Sequence, residues 1–379
     1  MTRFVEFLIS LLIVVVLFVV IGLFLPSKRF YTYSIETNRP MATVNDLFNG
    51  FSRFKDWNPL LRYDKNATSE ISGPAMGVGA KFSFQSRDKV IGNGSWEIVE
   101  SVPGERIRYK LIGPTRGADK TMTIKLERTG QRNQNIKITQ EYRVNYGWDL
   151  IGRYAGMYVS RNIGDDVKRG LDKFSALLAT IPKFDYSQHQ GEFKIVELPM
   201  QDVLLVSTSA KNSNEEIAVA MDNQVSWIKK VMAANGLVAN GPLRIVTNEF
   251  TSNAYAFDVV QPVRKASGGE SVAAPAADAS ADPEAAAELA APEPVVAAGE
   301  KMSLNMEGPV SYEQIPARKV ATTTYTGPAP GLPRAREMLR AWAMTHGHDT
   351  QDRPYEEYLG GISTMLNEDA QFNVYWPLK

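Results

Sequence analysis

The sequence predicts an α+β protein made of an N-terminal transmembrane helix and two domains built on antiparallel β-sheets. Three observations lead to this prediction. An uncharged apolar run opens the chain at residues 7–25, and short β-like segments followed by one long amphipathic helix occupy residues 30–183. A pattern repeated at an offset of 115 residues fills residues 191–379.

The composition excludes several classes of function. A chain of 379 residues is long enough for two or three domains. Its 42 basic and 42 acidic residues cancel, and no segment reads as a basic recognition helix, so we expect no nucleic-acid partner. The absence of cysteine excludes disulfides, thiolate nucleophiles and cysteine-based zinc sites.

The N-terminal run "FLISLLIVVVLFVVIGLFL" is the strongest local signal. A helix of this length spans roughly 28 Å, close to the hydrocarbon thickness of a bilayer. A cleaved signal peptide is the alternative, but the run is long for one and no small-x-small cleavage site follows it. We therefore expect residues 1–29 to anchor a single-pass protein in a bacterial inner membrane. Arg3 lies on one side of the apolar run, and Lys28 and Arg29 lie on the other. By the positive-inside rule, this difference only slightly favours a cytoplasmic location for the domains that follow the helix.

Residues 30–183 have the pattern of a sheet closed by a helix. Short β-like runs are separated by turn signals such as Asn93-Gly94 and Pro103-Gly104. A long amphipathic helix follows, with apolar residues every three to four positions from Val159 to Leu178. The order indicates a curved antiparallel sheet wrapped around that helix.

In element order, and in the segments "FSRFKDWNP" and "GPAMGVGAKF", this stretch resembles the SRPBCC (START-like, polyketide-cyclase-like) superfamily with its helix-grip fold. The resemblance implies a cavity between sheet and helix that holds an apolar ligand. Trp96, Tyr109 and Tyr142 are candidates to line such a cavity, although packing in the core is the simpler role for them.

A duplication organises residues 191–379. The segments "AFDVVQPV" from Ala256 and "QFNVYWPL" from Gln371 share the pattern Phe-x-Val-x-x-Pro-apolar. The same offset relates Trp227 to Trp342, each at the centre of a predicted helix. Each half is therefore predicted to form a strand, a helix and two strands. Residues 266–300, between the halves, are rich in alanine, proline and acids and are predicted to be a disordered linker.

The duplicated βαββ pattern resembles the GyrI-like effector-binding family, most specifically in "PYEEY" ahead of the last strand. The resemblance implies two halves around a pseudo-twofold axis, with a groove between them that binds cationic, aromatic or amphipathic molecules. It assigns the ligand-binding carboxylate to Glu356. Strand alternation then places Glu357 on the opposite face, where we expect it to be solvated.

Aromatic side chains complete the predicted site, because their faces attract cations and provide apolar contact. The predicted ligand contacts are Glu356, Tyr358, Tyr325, Tyr255, Tyr375 and Trp376. Only one of the adjacent Tyr375 and Trp376 can face the groove. At the 115-residue offset Glu356 corresponds to Gly241, so the acid exists in one half only.

The sequence favours a membrane-anchored protein that binds or senses small hydrophobic or cationic ligands. Two alternatives remain open: a hydrolase that uses Glu356 as general base, and a partner-binding membrane protein with vestigial cavities. No cofactor is predicted. No metal site is predicted either, because His346 and His348 lie in a glycine-containing turn with no other histidine near in sequence.

Overall fold

The fold is taken from a computed structural model that describes residues 2–60, 64, 66–88, 91–266 and 301–379. The chain divides into two compact units, Met1–Asp185 with Thr345–Gly347, and Tyr186–Met344 with His348–Lys379. The predicted linker at 266–300 lies outside the described residues except for Ala266.

The N-terminal apolar run is helical. Helix α1, Thr2–Phe24, has a mean hydropathy of 3.4 in its most apolar window, and only 6% of that window is buried. A helix with this length and composition can cross a membrane, and a signal sequence near an N-terminus meets the same criterion.

The first unit is an antiparallel sheet of seven strands with one long helix against it, and its strand order is β1-β7-β6-β5-β4-β3-β2. The strands are β1 Lys28–Thr37, β2 Thr68–Ser72, β3 Lys81–Gln85, β4 Asn93–Val102, β5 Arg106–Ile112, β6 Ala118–Thr129 and β7 Asn135–Asn145. The helices are α2 Met41–Phe48, α3 Phe54–Trp57, α4 Leu150–Ala155 and α5 Val159–Thr180.

Two register shifts bend this sheet, one between Ile98 and Glu100 in β4 and one at Ala118/Thr121 in β6. The apolar stripe of α5 packs against the sheet, as its spacing predicts, and Leu171 and Phe174 are fully buried.

Aromatic rings fill the space between sheet and helix in the first unit. The rings of Phe48 and Phe174 stack with centroids 4.1 Å apart, and Trp57 meets Phe174 edge-on at 5.7 Å. Tyr109 is buried among them and donates a hydrogen bond to the Phe48 carbonyl. Tyr109 and Trp96 are in mutual edge contact, so Tyr109 is a core residue and the partly buried Trp96 packs against it.

The second unit contains a sheet of nine strands. Its strands are β8 Lys194–Leu198, β9 Gln201–Lys211, β10 Leu237–Ala239, β11 Leu243–Phe250, β12 Ala254–Lys265, β13 Ser311–Ile315, β14 Arg318–Thr326, β15 Tyr355–Tyr358 and β16 Gln371–Pro377. Its helices are α6 Asn214–Ala234 and α7 Leu332–Thr345. Ser213 caps α6 by accepting a hydrogen bond from the Glu216 amide.

The order of this sheet, β13-β9-β12-β11-β15-β16-β14-β8, is symmetric about the β11–β15 pair. Each half starts with two strand segments, where the sequence predicts one. The first segment of each half pairs with the other half: β8 with β14, and β13 with β9. The duplication therefore produces a pseudo-twofold sheet whose halves are interlocked at both edges as well as joined at the centre.

We predict that Phe174→Ala lowers the free energy of unfolding of the first unit by about 3–5 kcal/mol, because it opens a cavity in the aromatic core. Denaturation of the full chain in detergent, followed by tryptophan fluorescence, measures this directly, since Trp57 contacts Phe174. Phe30→Ala is the matched control, because Phe30 is 79% exposed. Equal losses in the two variants would contradict the packing described here.

Candidate functional site

The candidate site is centred on β15, the four-residue strand that contains both acids of "PYEEY". All four residues of β15 are buried. β15 pairs with β11 on one side and with β16 on the other, so it lies in the middle of the sheet. Alternation along the strand sends Glu356 and Tyr358 to one face, and Tyr355 and Glu357 to the other.

Glu356 is fully buried and forms an ion pair with Arg336 of α7. The Arg336 Nε donates to one carboxylate oxygen of Glu356, and Nη2 donates to the other over 2.8 Å. The Arg336 side chain is only 9% exposed. This is a two-pronged guanidinium–carboxylate contact, the strongest geometry that the two groups can adopt.

The pKa values of both Glu356 and Arg336 are shifted in this buried ion pair. Burial raises the pKa of the Glu356 carboxyl, and the charge and hydrogen bonds of Arg336 act in the opposite direction. Burial acts to lower the pKa of Arg336, but the Glu356 carboxylate more than offsets it and raises that pKa above its usual value. Both oxygens of Glu356 are thus occupied by an internal cation.

Two of the predicted tyrosines lie against this pair. Tyr255 lies close enough to Arg336 and Glu356 for their charges to affect its pKa. It also forms a hydrogen bond of 2.9 Å with the Thr247 hydroxyl. Burial raises the pKa of Tyr358 well above its usual range, and the neighbouring Glu356 adds to the effect. The structure therefore brings Glu356, Tyr255 and Tyr358 together around Arg336.

The other three predicted contacts lie elsewhere. Tyr325 stacks on Phe372 with centroids 6.1 Å apart and donates to the carbonyl of Pro328. Trp376 is on the Glu356 face but lies under Arg340, 5.2 Å from its guanidinium. Tyr375 is on the opposite face and donates to Glu357 over 2.9 Å.

The prediction that Glu357 is solvated is wrong. Its side chain is 8% exposed and forms an ion pair with Arg244, which donates to one oxygen of Glu357 from both Nε and Nη2. The other oxygen accepts from Asn373 and Tyr375. Alternation correctly separates the two acids by face, but polar side chains of the neighbouring strands cover the second face as well.

The structure also corrects the residue that corresponds to Glu356 in the first half. Glu356 pairs with Val374, and the duplicate of Val374 at the 115-residue offset is Val259. Val259 pairs with Ile245, which makes Ile245 the counterpart of Glu356 in place of Gly241. Ile245 also lies directly opposite Glu356 in the β11–β15 ladder. The conclusion that the acid belongs to one half only is unchanged.

Arg336 is the residue that the sequence analysis missed. It lies within the apolar stripe of α7, between Leu332 and Leu339, both of which are buried. A charged residue in a helical stripe that faces a core signals a buried partner of opposite charge. Among the described residues, no group of three or more histidine or acidic side chains could hold a metal ion.

Comparison with known proteins gives structural similarity only. No protein-family model matches the chain, and no curated protein matches it. The EcmrR C-terminal domain is 16% identical over 50% of this chain and 99% of its own, with a TM-score of 0.35. A norcoclaurine synthase from Thalictrum is 13% identical over 40% of this chain and 94% of its own, with a TM-score of 0.32. At these values the matches carry no conclusion about activity.

The prediction of no nucleic-acid partner is wrong as an exclusion. The structures similar to this chain include EcmrR in an EcmrR–DNA complex, 14% identical over 62% of this chain and 86% of that one, with a TM-score of 0.35. That exclusion rests on the balanced net charge and on the lack of a basic recognition helix in the sequence. Neither property rules out contact through another surface or through an assembly, so nucleic acid is not excluded.

We predict that Glu356→Gln destabilises the second unit by about 3–5 kcal/mol, because it leaves the Arg336 guanidinium buried without its counterion. Arg336→Met leaves a lone buried carboxylate and is destabilising for the same reason. The double variant removes both charges, so its loss falls short of the sum of the single losses by about 1–3 kcal/mol. Denaturant unfolding of the four proteins in detergent measures this coupling.

The matched control is Glu216→Gln. Glu216 pairs with Lys211 at 3.4 Å, but both side chains are exposed, at 49% and 81%. We expect a change within about 0.5 kcal/mol. Additive losses for Glu356 and Arg336 would show that the two side chains do not interact as described.

Proposed function

We propose that the protein is a membrane-anchored small-molecule-binding protein whose second unit binds amphipathic or cationic aromatic ligands at Glu356. The observation that carries the proposal is a fully buried carboxylate, present in one half of a duplicated fold and close to two tyrosines, Tyr255 and Tyr358. The fold does not require this acid, because Ile245 occupies the equivalent position in the other half. The GyrI-like resemblance of "PYEEY" supports the same assignment.

Arg336 adds a condition to this proposal. A cation can reach Glu356 only by displacing the Arg336 guanidinium, which already satisfies both carboxylate oxygens. Arg336 thus competes with the ligand for Glu356 from within the same molecule. The apparent affinity for the ligand equals the intrinsic affinity multiplied by the fraction of molecules in which Arg336 has left the site. A ligand must offer Glu356 a cationic centre and offer the tyrosines an aromatic or apolar surface.

The vestigial-cavity alternative is supported by the same contact. A side chain of the protein itself fills the position of the guest, so the Arg336–Glu356 pair could serve stability alone. The hydrolase alternative is less favoured by the geometry. A general base needs a free oxygen within reach of its substrate, and both oxygens of Glu356 are bonded to Arg336.

We further propose that α1 is an uncleaved anchor, so that ligands are met at the membrane surface. Its support is the exposed apolar surface of the helix and its contacts with α4. The SRPBCC-like resemblance of the first unit suggests a second ligand site, but the aromatic rings between its sheet and α5 leave the proposal centred on the second unit.

We predict that Arg336→Met strengthens the binding of tetraphenylphosphonium by about tenfold, because it removes the competing guanidinium. Glu356→Gln should abolish the preference for this cation over the neutral triphenylphosphine oxide. Equilibrium dialysis of the full chain in lipid nanodiscs, with empty nanodiscs subtracted, measures both ligands. The assay is run at pH 8, because burial raises the pKa of Glu356 and a raised pKa favours the neutral acid at lower pH.

The control is Glu216→Gln, which removes an exposed acid and should leave both affinities unchanged. If no variant distinguishes the cation from the neutral compound, ligand binding at Glu356 is ruled out and the pair is structural. If Glu356→Gln weakens the binding of tetraphenylphosphonium but Arg336→Met does not strengthen it, the site binds cations without competition from Arg336.

A further inference from the structure

A short segment of the first unit, residues 147–159, is attached to the C-terminal end of α1. Arg153 of α4 is 9% exposed and donates to the carbonyls of Gly22, Leu23 and Leu25. Those carbonyls belong to the last turn of the helix and its continuation, where no intrahelical donor remains. Arg153 therefore caps α1 and fixes α4 beside its end.

The attachment extends back along α1. The Tyr154 hydroxyl donates to the Phe18 carbonyl over 2.8 Å, and the two rings stack with centroids 4.5 Å apart. Gly22 allows this approach, because a Cβ there would lie 3.2 Å from the Tyr154 ring. Phe18 is six residues before the end of α1, so Tyr154 contacts the helix roughly 9 Å below that end.

The outer surface of the segment is apolar. All residues of 147–159 are described, and the exposed ones are Trp148, Ile151, Ala155, Met157 and Tyr158. None of them is charged. Trp148 is 82% exposed, and Ile151 and Met157 are each at least half exposed. The charged groups of the segment are directed elsewhere: Arg153 to the end of α1, and Asp149 to Arg116 and to the N-terminus of α4.

We propose that residues 147–159 form a second membrane contact, in which α4 lies in the headgroup and acyl boundary beside the end of α1. The inference rests on the proposed function in that α1 must span a bilayer. A depth of roughly 9 Å agrees with the 5–10 Å at which interfacial helices are buried. Tryptophan and tyrosine are the residues that favour this boundary, and the bonds of Arg153 to helix carbonyls satisfy a cation that would otherwise be costly there.

The contact sets the orientation of the first unit. One helix alone leaves a soluble body free to rotate and tilt on its tether. Two contacts, joined by the Arg153 cap and the Tyr154 stack, hold the first unit in one pose on the bilayer surface.

The test uses the absence of cysteine in the chain, which allows single-cysteine spin labelling without background. Ile151→Cys reports on α4, and Ile71→Cys is the matched control on β2, the strand at the opposite edge of the sheet from β1. The two isoleucines are 54% and 49% exposed. Leu12→Cys, in the middle of α1, reports on the anchor itself.

Each labelled full-length protein is placed in vesicles of phosphatidylcholine and phosphatidylglycerol, and collision with oxygen is compared with collision with a water-soluble nickel chelate. We expect a several-fold higher ratio of oxygen to nickel collisions at positions 12 and 151 than at 71. A lipid-like value at 12 with equal, aqueous values at 151 and 71 overturns this inference and leaves the anchor intact. An aqueous value at 12 overturns the anchor and the inference together. Protection from both reagents at 151, with dipolar broadening between labels, shows that a second copy of the chain covers this face and also overturns it.

Discussion

The second unit depends on the neutralisation of two adjacent carboxylates on opposite faces of one buried strand. Glu356 and Glu357 lie at the centre of the sheet, where neither can be left without a counterion. Arg336 reaches Glu356 from α7, and Arg244 reaches Glu357 from β11 of the other half. Both arginines make two hydrogen bonds to their acid, so an ion pair holds β15 on each face of the sheet. The Arg336–Glu356 pair joins α7 to the sheet, and the Arg244–Glu357 pair joins the two halves of the duplication.

The two ion pairs differ in the number of side chains that donate to the carboxylate. Glu357 is bound by three side chains, Arg244, Asn373 and Tyr375, which share its two oxygens. Within the part of the chain that the structure describes, Glu356 has one cationic partner, Arg336, whose long side chain extends from α7. Removal of one guanidinium from Glu356 frees the whole carboxylate, whereas no single displacement frees Glu357. This asymmetry supports the proposal of an exchangeable cation at Glu356 and is consistent with a structural role for Glu357.

The sequence predicted those features that lie within one continuous segment of the chain. The apolar run of α1 and the apolar stripe of α5 each lie in one helix, and each of the two copies of the Phe-x-Val-x-x-Pro pattern occupies a few consecutive residues, so all three could be recognised without tertiary information. The strand register of the second unit was harder to predict, because the segment between α7 and β15 differs in length from the segment between α6 and β11. A constant offset of 115 residues therefore matches Glu356 to Gly241, whereas the strand pairing matches it to Ile245. Strand alternation predicted which face of the sheet Glu357 lies on, but not which side chains bury it there. The partner of Glu356, Arg336, is 20 residues away on another element, so strand alternation could not identify it.

Arginine has the same physical role at two distant points of this chain. Arg153 and Arg336 each place a guanidinium where burial would be costly, and each offsets that cost by donating to several acceptors: helix-end carbonyls for Arg153, and both oxygens of a carboxylate for Arg336. The difference lies in the acceptors. The acceptors of Arg153 are backbone carbonyls at the end of α1, which keep their position as long as the helix is folded. A carboxylate accepts any cation of suitable size, so of these two contacts the one made by Arg336 is the one that fits the proposed exchange for a ligand.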